Sequence, residues 1–386
     1  MPSPSPEPLK IVYVCKAVDA DSPTVATQAR WIAALAANDR VGHVTVLTGH
    51  HGRCELGPNV DVRSFGAVAE VTPAPRPDSL HRLVTKIPGA AWAPVVLRFL
   101  TKAAELRRRD VDFFFVAQGG PYPALLLPWK LAFGRPLYQW KAQPHVSSKM
   151  AFYARWCDDL IFTATPGSFP ASAKPGGVRV VGHGIDTNLF LPGHATMLRR
   201  DLVAIGRVSP IKRIDWVLRA MAVRRDRTGQ SSTLDVIGPY GAGEAHYAYL
   251  VALAEELGLT AHVRFLGSVA HEEIPLRLAG YRAMVNFSDT AFDKAAGEAM
   301  ACGLPVITTN PCTIEMMPVD QRDALVAEHD SVEDQARVIG EVLAWDDATR
   351  ASAALSLRQA IVSTHSLDSL FDKILDATAD DAHWRP

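Results

Sequence analysis

A strand-helix-strand unit over residues 283–309 restricts how this chain can fold more than any other feature. The apolar run 283–287 predicts a buried strand, residues 294–302 predict a short helix that ends at Gly303, and residues 305–309 predict the next strand. The amino-terminal half alternates in the same way, with a helix predicted at 24–37 and strands at 10–14, 43–47, 60–64, 113–117, 137–140 and 160–162. This alternation indicates an α/β fold whose parallel sheets are covered on both faces.

The loop that enters the predicted helix is a candidate ligand site. Parallel sheets bind ligands beyond the carboxyl ends of their strands, where a loop leads into a helix whose free N–H groups and dipole attract phosphate. Glu298 lies about one turn into this helix, and its carboxylate can accept hydrogen bonds from ribose hydroxyls. The N–H groups of residues 292–295 would face the phosphates or the sugar. The loop is therefore predicted to bind a nucleotide sugar.

The sequence Glu-Ala-Met-Ala-Cys-Gly-Leu-Pro-Val-Ile at 298–307 resembles the signature of retaining nucleotide-sugar glycosyltransferases of the family-4 type. This resemblance implies the GT-B fold, in which two Rossmann-like, doubly wound parallel-sheet domains face a cleft. In that family the helix carries the second Glu of a pair whose first Glu contacts the donor sugar. Glu298 matches the second Glu, whereas Thr290 replaces the first and Asp293 replaces the usual Gly. Asp289 or Asp293 is an alternative source of the missing carboxylate, and Asp293 is equally a candidate helix N-cap.

A second group of residues follows the predicted strand 202–205. Arg207 offers a planar fork of donors and Lys212 offers a point charge, which together suit a diphosphate that gains negative charge as it leaves. The family places an Arg and a Lys in the same Gly-Arg-x4-Lys arrangement, and Gly206, Arg207 and Lys212 match it. Solvated surface charge is the alternative interpretation of the two cations.

Further residues near these two motifs are predicted to contact the donor, the nucleotide sugar. The resemblance implies that a loop near Thr290 orients the sugar and that strand ends hold the nucleotide base; the residues concerned are Thr290, Phe292, Asp293, Lys294, Gly238, Gly267 and Val269. Glycines at strand ends are also common turn formers. Because backbone contacts leave little trace in side chains, the sequence does not identify the base.

Composition fits a globular protein of two domains, since the chain has 386 residues, of which 48% are hydrophobic and 21% charged. Residues 1–8 predict a disordered tail rather than a secretion signal, and no apolar run reaches membrane-spanning length, so the chain is predicted to be cytoplasmic. The five cysteines lack metal-ligand spacing. We therefore predict no metal, no cofactor and no nucleic-acid partner; the nucleoside-diphosphate sugar is predicted to be the donor substrate.

The two halves of the chain differ in the sign of their charge. Residues 1–195 hold 21 Lys and Arg against 14 Asp and Glu, whereas residues 196–386 hold 19 against 27. Opposite signs favour attraction across an interdomain cleft, or an anionic partner for the basic half. Much of the basic excess lies in 76–109, which is either a peripheral contact with the inner face of a membrane or a solvated helix face.

The resemblance implies an acceptor-side domain over 9–192, a nucleotide-sugar-binding domain over 193–365, and a final helix within 366–386 that packs back on the first domain.

Two residues of the first domain are candidate acceptor-side groups. Asp19 follows the first strand and could bind an acceptor hydroxyl, although a turn or helix cap is as good an explanation. His145 could face the donor sugar, although a loop His that bonds backbone is commoner. His183 is interpreted as structural.

We therefore expect a sugar to move from a nucleoside diphosphate to a hydroxyl acceptor, with the retention that the family implies. No Ser/His/Asp triad can be assigned, so placement and charge would supply the catalysis. Two alternatives remain. A sugar-nucleotide epimerase can share the GT-B architecture and needs no acceptor. A non-catalytic nucleotide-sugar-binding subunit would fit the loss of the first Glu.

Overall fold

The computed structural model describes residues 7–19, 26–66, 93–117, 120–193, 200–241 and 244–381. Most of the predicted tail and half of the basic segment 76–109 lie outside these ranges.

The first sheet has seven parallel strands in the order β3-β2-β1-β4-β5-β6-β7. Its strands are β1 (Leu9–Val18), β2 (Val41–His51), β3 (Val60–Ser64), β4 (Phe113–Ala117), β5 (Leu137–Trp140), β6 (Leu160–Thr163) and β7 (Val178–Val180). Among the described residues, the α-helices between these strands are α1 (Ala26–Ala36), α2 (Ala93–Ala103), α3 (Tyr122–Phe133) and α4 (Ser148–Trp156). Every residue of the central strand β4 is buried, as expected of a strand that is covered on both faces.

The second sheet has five parallel strands in the order β10-β9-β8-β11-β12. They are β8 (Arg200–Ile205), β9 (Leu234–Ile237), β10 (Val263–Gly267), β11 (Tyr281–Asn286) and β12 (Val306–Thr308). The helices of this part of the chain are α5 (Ile214–Thr228), α6 (Ala245–Glu256), α7 (Ile274–Leu278), α8 (Lys294–Ala301), α9 (Pro311–Met316), α10 (Val319–Leu325), α11 (Val332–Leu343) and α12 (Asp347–His365). We call the two sheets, with their helices, the N-terminal and C-terminal domains.

The last helix, α13 (Leu367–Ala379), packs against α1 of the N-terminal domain. The side chain of Asn38 donates to Asp372 at 2.8 Å, and Arg40 forms an ion pair with Asp376 at 2.6 Å. Phe371 meets the fully buried Trp31 edge to face. The chain thus crosses to the second sheet and returns to the first.

Several predicted boundaries were wrong by a few residues. β1 and β2 extend well past their predicted carboxyl ends, because the two strands continue to pair as far as Val18 and His51. β12 is shorter than predicted, by one residue at each end. Apolar runs mark the buried centre of a strand, whereas strand ends are set by pairing.

Helix α2 belongs to residues 93–109, the described part of the segment for which membrane contact was considered. Its apolar face, with Val95 and Phe99, is buried in the N-terminal domain, and its Arg98 donates to the carbonyl of Gly66. Leu97 is exposed. Membrane contact by this segment stays a prediction. Among the described residues, no helix has both the length and the apolar character needed to cross a membrane.

Candidate active site

The candidate site lies at the carboxyl ends of β8 and β11, in the middle of the second sheet. In the sheet, β9 and β10 lie beyond β8 on one side, and β12 lies beyond β11 on the other. The strands are therefore added in opposite directions on the two sides of the β8–β11 pair, and the strand order reverses between these two strands. Open α/β sheets bind ligands at such a reversal. The turn that begins at Gly206 leaves β8, and the loop that leads to α8 leaves β11; we call the latter the donor loop (residues 287–293).

Two of the predicted glycines have a close neighbour at this edge, a side chain for Gly206 and backbone for Gly238. Gly206 has φ 140°, and a Cβ there would lie 2.5 Å from Cε of Lys212. Gly238 has φ 151°, and its Cβ would lie 2.0 Å from the carbonyl oxygen of Gly206. Gly267 also has a positive φ, but the space beside it is open. Val269, just beyond β10, packs partly buried against the core.

Asp293 joins the donor loop to the turn after β8. Its carboxylate forms a 2.6 Å ion pair with Nζ of Lys212 and accepts hydrogen bonds from Nδ2 of Asn286 and Oγ of Ser288 at 2.6 and 3.0 Å. It also caps α8 by accepting from the backbone N–H of Ala295 at 3.3 Å. The structure therefore places Asp293 as the helix N-cap, and one of the N–H groups predicted to face the ligand is taken by this cap.

The two predicted cations have different surroundings. Lys212 is mostly buried, with 17% of its side chain exposed, and Asp293 fixes its position. Arg207 is exposed, and its side chain makes no hydrogen bond or ion pair with any residue that the structure describes. One cation is therefore prearranged, while the other is available to an incoming anion.

Arg213, which the sequence analysis did not single out, has a left-handed backbone at φ 49°. Its buried guanidinium lies over the ring of Trp216 at 4.0 Å, contacts His329, and lies 3.7 Å from Asp289. His329 in turn lies 2.7 Å from Asp289. Oδ1 of Asp289, an alternative source of the missing carboxylate, is thus engaged by two side chains of its own chain.

A buried side-chain amide, that of Asn310, holds the donor loop through two backbone carbonyls. Nδ2 of the fully buried Asn310 donates to the carbonyl oxygens of Ser288 and Thr290, at 2.7 Å each. The hydroxyl of Thr290 lies 3.2 Å from that of Ser288. Asn310 was missed because, in sequence, an Asn before Pro311 predicts only a helix cap.

Phe292 directs its side chain away from the loop and towards the junction of the two domains. Its ring stacks on the imidazole of His183, with centroids 4.3 Å apart, and also contacts His365. Burial lowers the pKa of His183 to about 3, so this ring is neutral at physiological pH. His183 lies in an aromatic cluster with Trp31 and Trp140, in keeping with the structural role predicted for it.

Glu298 is 5% exposed and lies on the first half of α8. Its Oε1 accepts a hydrogen bond from Nε2 of His271 at 2.7 Å and pairs with Nζ of Lys294 at 2.8 Å. Burial alone would raise the pKa of Glu298, but Lys294 and His271 outweigh it and hold that pKa at about 2. Oε2 accepts no hydrogen bond from the described residues.

The two candidate acceptor-side residues lie in the N-terminal domain. Asp19 follows β1, packs against Gly52 and lies 3.9 Å from Nε2 of His50. His145 is exposed in the loop between β5 and α4. It lines an open pocket of about 670 Å³ whose polar side chains also include Ser147, Arg155 and Ser172.

Comparison with known proteins supports the assignment of the second half of the chain. Residues 199–344 match the family described as glycosyl transferases group 1. A D-inositol 3-phosphate glycosyltransferase of Mycobacterium sp. (strain KMS) is 36% identical over 199 residues, which is 48% of this chain and 43% of that protein. The enzyme of the same name from Rhodococcus opacus is 30% identical over 221 residues, 53% of this chain and 49% of that protein. The chain thus matches about half the length of these relatives.

Solved structures match nearly the whole chain. The Anabaena protein HepE in complex with UDP and glucose has a TM-score of 0.70 at 17% identity, covering 96% of this chain and 99% of that chain. Sucrose-phosphate synthase from Thermosynechococcus elongatus has a TM-score of 0.72 at 17% identity, covering 96% and 98%. This chain has the GT-B fold. The predicted fold class is therefore confirmed, and together with the family match it supports a GT-B glycosyltransferase.

We expect Asp293→Ala to lower the free energy of unfolding by about 3 kcal/mol or more, because it removes a helix cap and one partner of a buried ion pair. Arg207→Ala is the control. Since Arg207 is exposed, its replacement should change that free energy by no more than about 0.5 kcal/mol. Urea denaturation measures both, and an Asp293→Ala variant as stable as the wild type would contradict the role given to this carboxylate.

The pKa of Glu298 also predicts how stability depends on pH. Its pKa is about 2 in the folded chain against an ordinary 4.5, so its contribution to stability is present above pH 4.5 and is lost as the pH falls towards 2. We expect the difference in unfolding free energy between wild type and Glu298→Gln to shrink over that interval. Urea denaturation at several pH values tests this, with the exposed Glu255→Gln as control. A constant difference for Glu298→Gln would show that the carboxylate is not stabilised as described.

Proposed function

We propose that this chain is a retaining glycosyltransferase of the family-4 type, which transfers a hexosyl group from a nucleoside-diphosphate sugar to a hydroxyl acceptor. The observation that carries the proposal is the convergence of Arg207, Lys212 and Glu298 where the strand order of the second sheet reverses, inside the segment that matches glycosyl transferases group 1. Cations for a diphosphate and a carboxylate for a ribose thus lie at the edge of one sheet.

In this proposal the two cations stabilise the leaving diphosphate. An ammonium has three donors, so Lys212 can keep its pair with Asp293 and still donate to phosphate oxygens. Arg207, with no partner of its own among the described residues, would add its planar fork as negative charge develops. A leaving phosphate oxygen would take the proton of the acceptor hydroxyl.

The remaining donor contacts come from the donor loop and α8. Oε2 of Glu298 would accept hydrogen bonds from ribose hydroxyls, while the loop near Thr290 and Lys294 orients the sugar. Gly206, Gly238 and Gly267 would let backbone approach the nucleotide closely. Closure of the cleft would exclude the water that would otherwise hydrolyse the donor.

The pocket at His145 is the place that we assign to the acceptor. It lies in the N-terminal domain, after the carboxyl end of β5, and Arg155 gives it a fixed positive charge. That charge would suit an acceptor with an anionic group. A polyol phosphate is a reasonable first acceptor to test, because the similar proteins are named as inositol 3-phosphate glycosyltransferases.

The proposal is tested by incubating the protein with UDP-, GDP- and ADP-hexoses and a panel of hydroxyl acceptors, followed by NMR of the anomeric carbon in any product. Transfer with retention is the expected result. An altered sugar nucleotide that forms without acceptor would instead indicate an epimerase. Tight binding without turnover, measured by calorimetry, would indicate a non-catalytic subunit.

We expect Arg207→Ala to lower kcat about 100-fold, because it removes a preorganised donor to the leaving group. Binding of the nucleoside without phosphates should be unchanged. Arg219→Ala, which replaces an exposed arginine on α5, is the matched control. Steady-state kinetics at saturating donor give the comparison, and an unchanged kcat for Arg207→Ala would remove this residue from the mechanism.

We also expect transfer to continue in excess EDTA, because Arg207 and Lys212 would supply the positive charge that a metal supplies elsewhere. Within the part of the chain that the structure describes, no three His, Cys, Asp or Glu side chains are grouped to hold a metal ion. Initial rates with EDTA and with added Mg²⁺ or Mn²⁺ provide the measurement. Activity that disappears in EDTA and returns with metal would refute this expectation.

A further inference from the structure

The carboxylate of Glu298 lies at the end of a series of polar contacts that begins in the other domain. Arg30, on α1 of the N-terminal domain, contacts Nδ1 of His271 and pairs with Glu272 at 2.7 Å. His271 donates to Glu298, as described above. A second contact crosses the cleft beside the first. In it, Nζ of Lys294 donates to the hydroxyl of Thr27 at 3.0 Å. Both groups that hold Oε1 of Glu298 are thus themselves held by α1.

The contacts with Arg30 and with Glu298 agree on which nitrogen of His271 carries the proton. A guanidinium can only donate hydrogen bonds, so the Nδ1 atom that it contacts must be an acceptor. The ring proton then lies on Nε2, which is the atom 2.7 Å from Oε1 of Glu298. Without Arg30, the ring proton could lie on Nδ1, and Nε2 could instead accept from Nζ of Lys294, which lies 3.4 Å away. Arg30 therefore supports the tautomer in which Nε2 donates to Glu298.

Helix α1 is a rigid support for these contacts. Trp31, the neighbour of Arg30, is fully buried among Trp140, His183 and Phe371. Arg30 itself has 22% of its side chain exposed, and its Nη2 is fixed by Glu272. A movement of the N-terminal domain relative to the C-terminal domain would therefore carry Arg30 and Thr27 with it and change what holds Glu298.

We propose that Arg30 and Thr27 are positioning residues that couple domain closure to recognition of the nucleotide. With the domains together, α1 fixes His271 and Lys294 on Oε1 of Glu298 and leaves Oε2 for the ribose hydroxyls. With the domains apart, the carboxylate loses this support and has to be ordered by the nucleotide itself, which costs affinity. The inference rests on the proposed function, because it takes Glu298 to bind the ribose.

Calorimetry with two kinds of ligand tests the coupling. The first ligand is whichever of UDP, GDP and ADP binds the wild type most tightly, and the second is its 2′,3′-dideoxy analogue, which keeps the phosphates and lacks the hydroxyls. We expect Arg30→Ala to bind the first ligand about tenfold more weakly than the wild type does. Both proteins should bind the dideoxy analogue equally well. Thr27→Val, which removes only the hydroxyl, should show a smaller loss of the same kind.

The matched control is Arg40→Ala. Arg40 follows α1 and also forms an ion pair with a distant part of the chain, Asp376, but it does not contact the C-terminal sheet or Glu298. This variant should bind both ligands as the wild type does. A double-mutant cycle of Arg30→Ala with His271→Ala should be non-additive, because the two residues act through one hydrogen-bonded series.

Three results would overturn the inference. Arg30→Ala and Thr27→Val could bind the nucleoside diphosphate as tightly as the wild type, which would show that α1 does not position Glu298. They could lose affinity for both ligands equally, which would place their effect at the phosphates or on the fold. The wild type could bind none of UDP, GDP and ADP, and in that case the proposed function fails together with the coupling built on it.

Discussion

The Asp293 carboxylate is the interaction on which the candidate site depends. A nearly buried charge is costly unless it is paired and hydrogen-bonded, and Asp293 meets both conditions through Lys212, Asn286 and Ser288. The same carboxylate begins α8 by capping it. The turn after β8, the donor loop and the helix that carries Glu298 are thereby fixed relative to one another by a single side chain.

Glu298 shows how a buried carboxylate can be kept charged for use by a ligand. Lys294 and His271 compensate for its burial and hold its pKa near 2, yet both bind the same oxygen. The other oxygen accepts no hydrogen bond from the described residues, so the cost of ordering the carboxylate is met before a ligand arrives. Helix α1 contributes to this ordering from across the cleft, because its Arg30 contacts His271 and its Thr27 contacts Lys294. These contacts explain how domain closure can affect Glu298, which lies in the second domain.

The sequence was sufficient to predict the α/β class and the buried centres of the strands. It also placed Gly206 and Lys212 after a strand and Glu298 within the following short helix of its unit, as the structure does, because these positions are set by local pattern. What it could not predict were partners distant along the chain. His271 lies 27 residues from Glu298, and Arg30 lies 241 residues from His271, so no local pattern connects them. Asp293 was recognised as a possible cap, but its pairing with Lys212 depends on how β8 and β11 lie side by side.

Thr290, where the family that the sequence resembles has a Glu, has a consequence for how a sugar would be held. Asp293 is nearly buried and engaged by Lys212, and Oδ1 of the half-exposed Asp289 is engaged by His329 and Arg213. At position 290 itself, the loop offers the sugar a neutral hydroxyl in place of a carboxylate. A hydrogen bond between neutral groups contributes about 0.5 to 1.5 kcal/mol, against about 1.5 to 3 kcal/mol when one partner is charged. In the proposed reaction, the diphosphate and the ribose would then provide more of the donor's affinity, and the support of Glu298 by α1 becomes correspondingly more important.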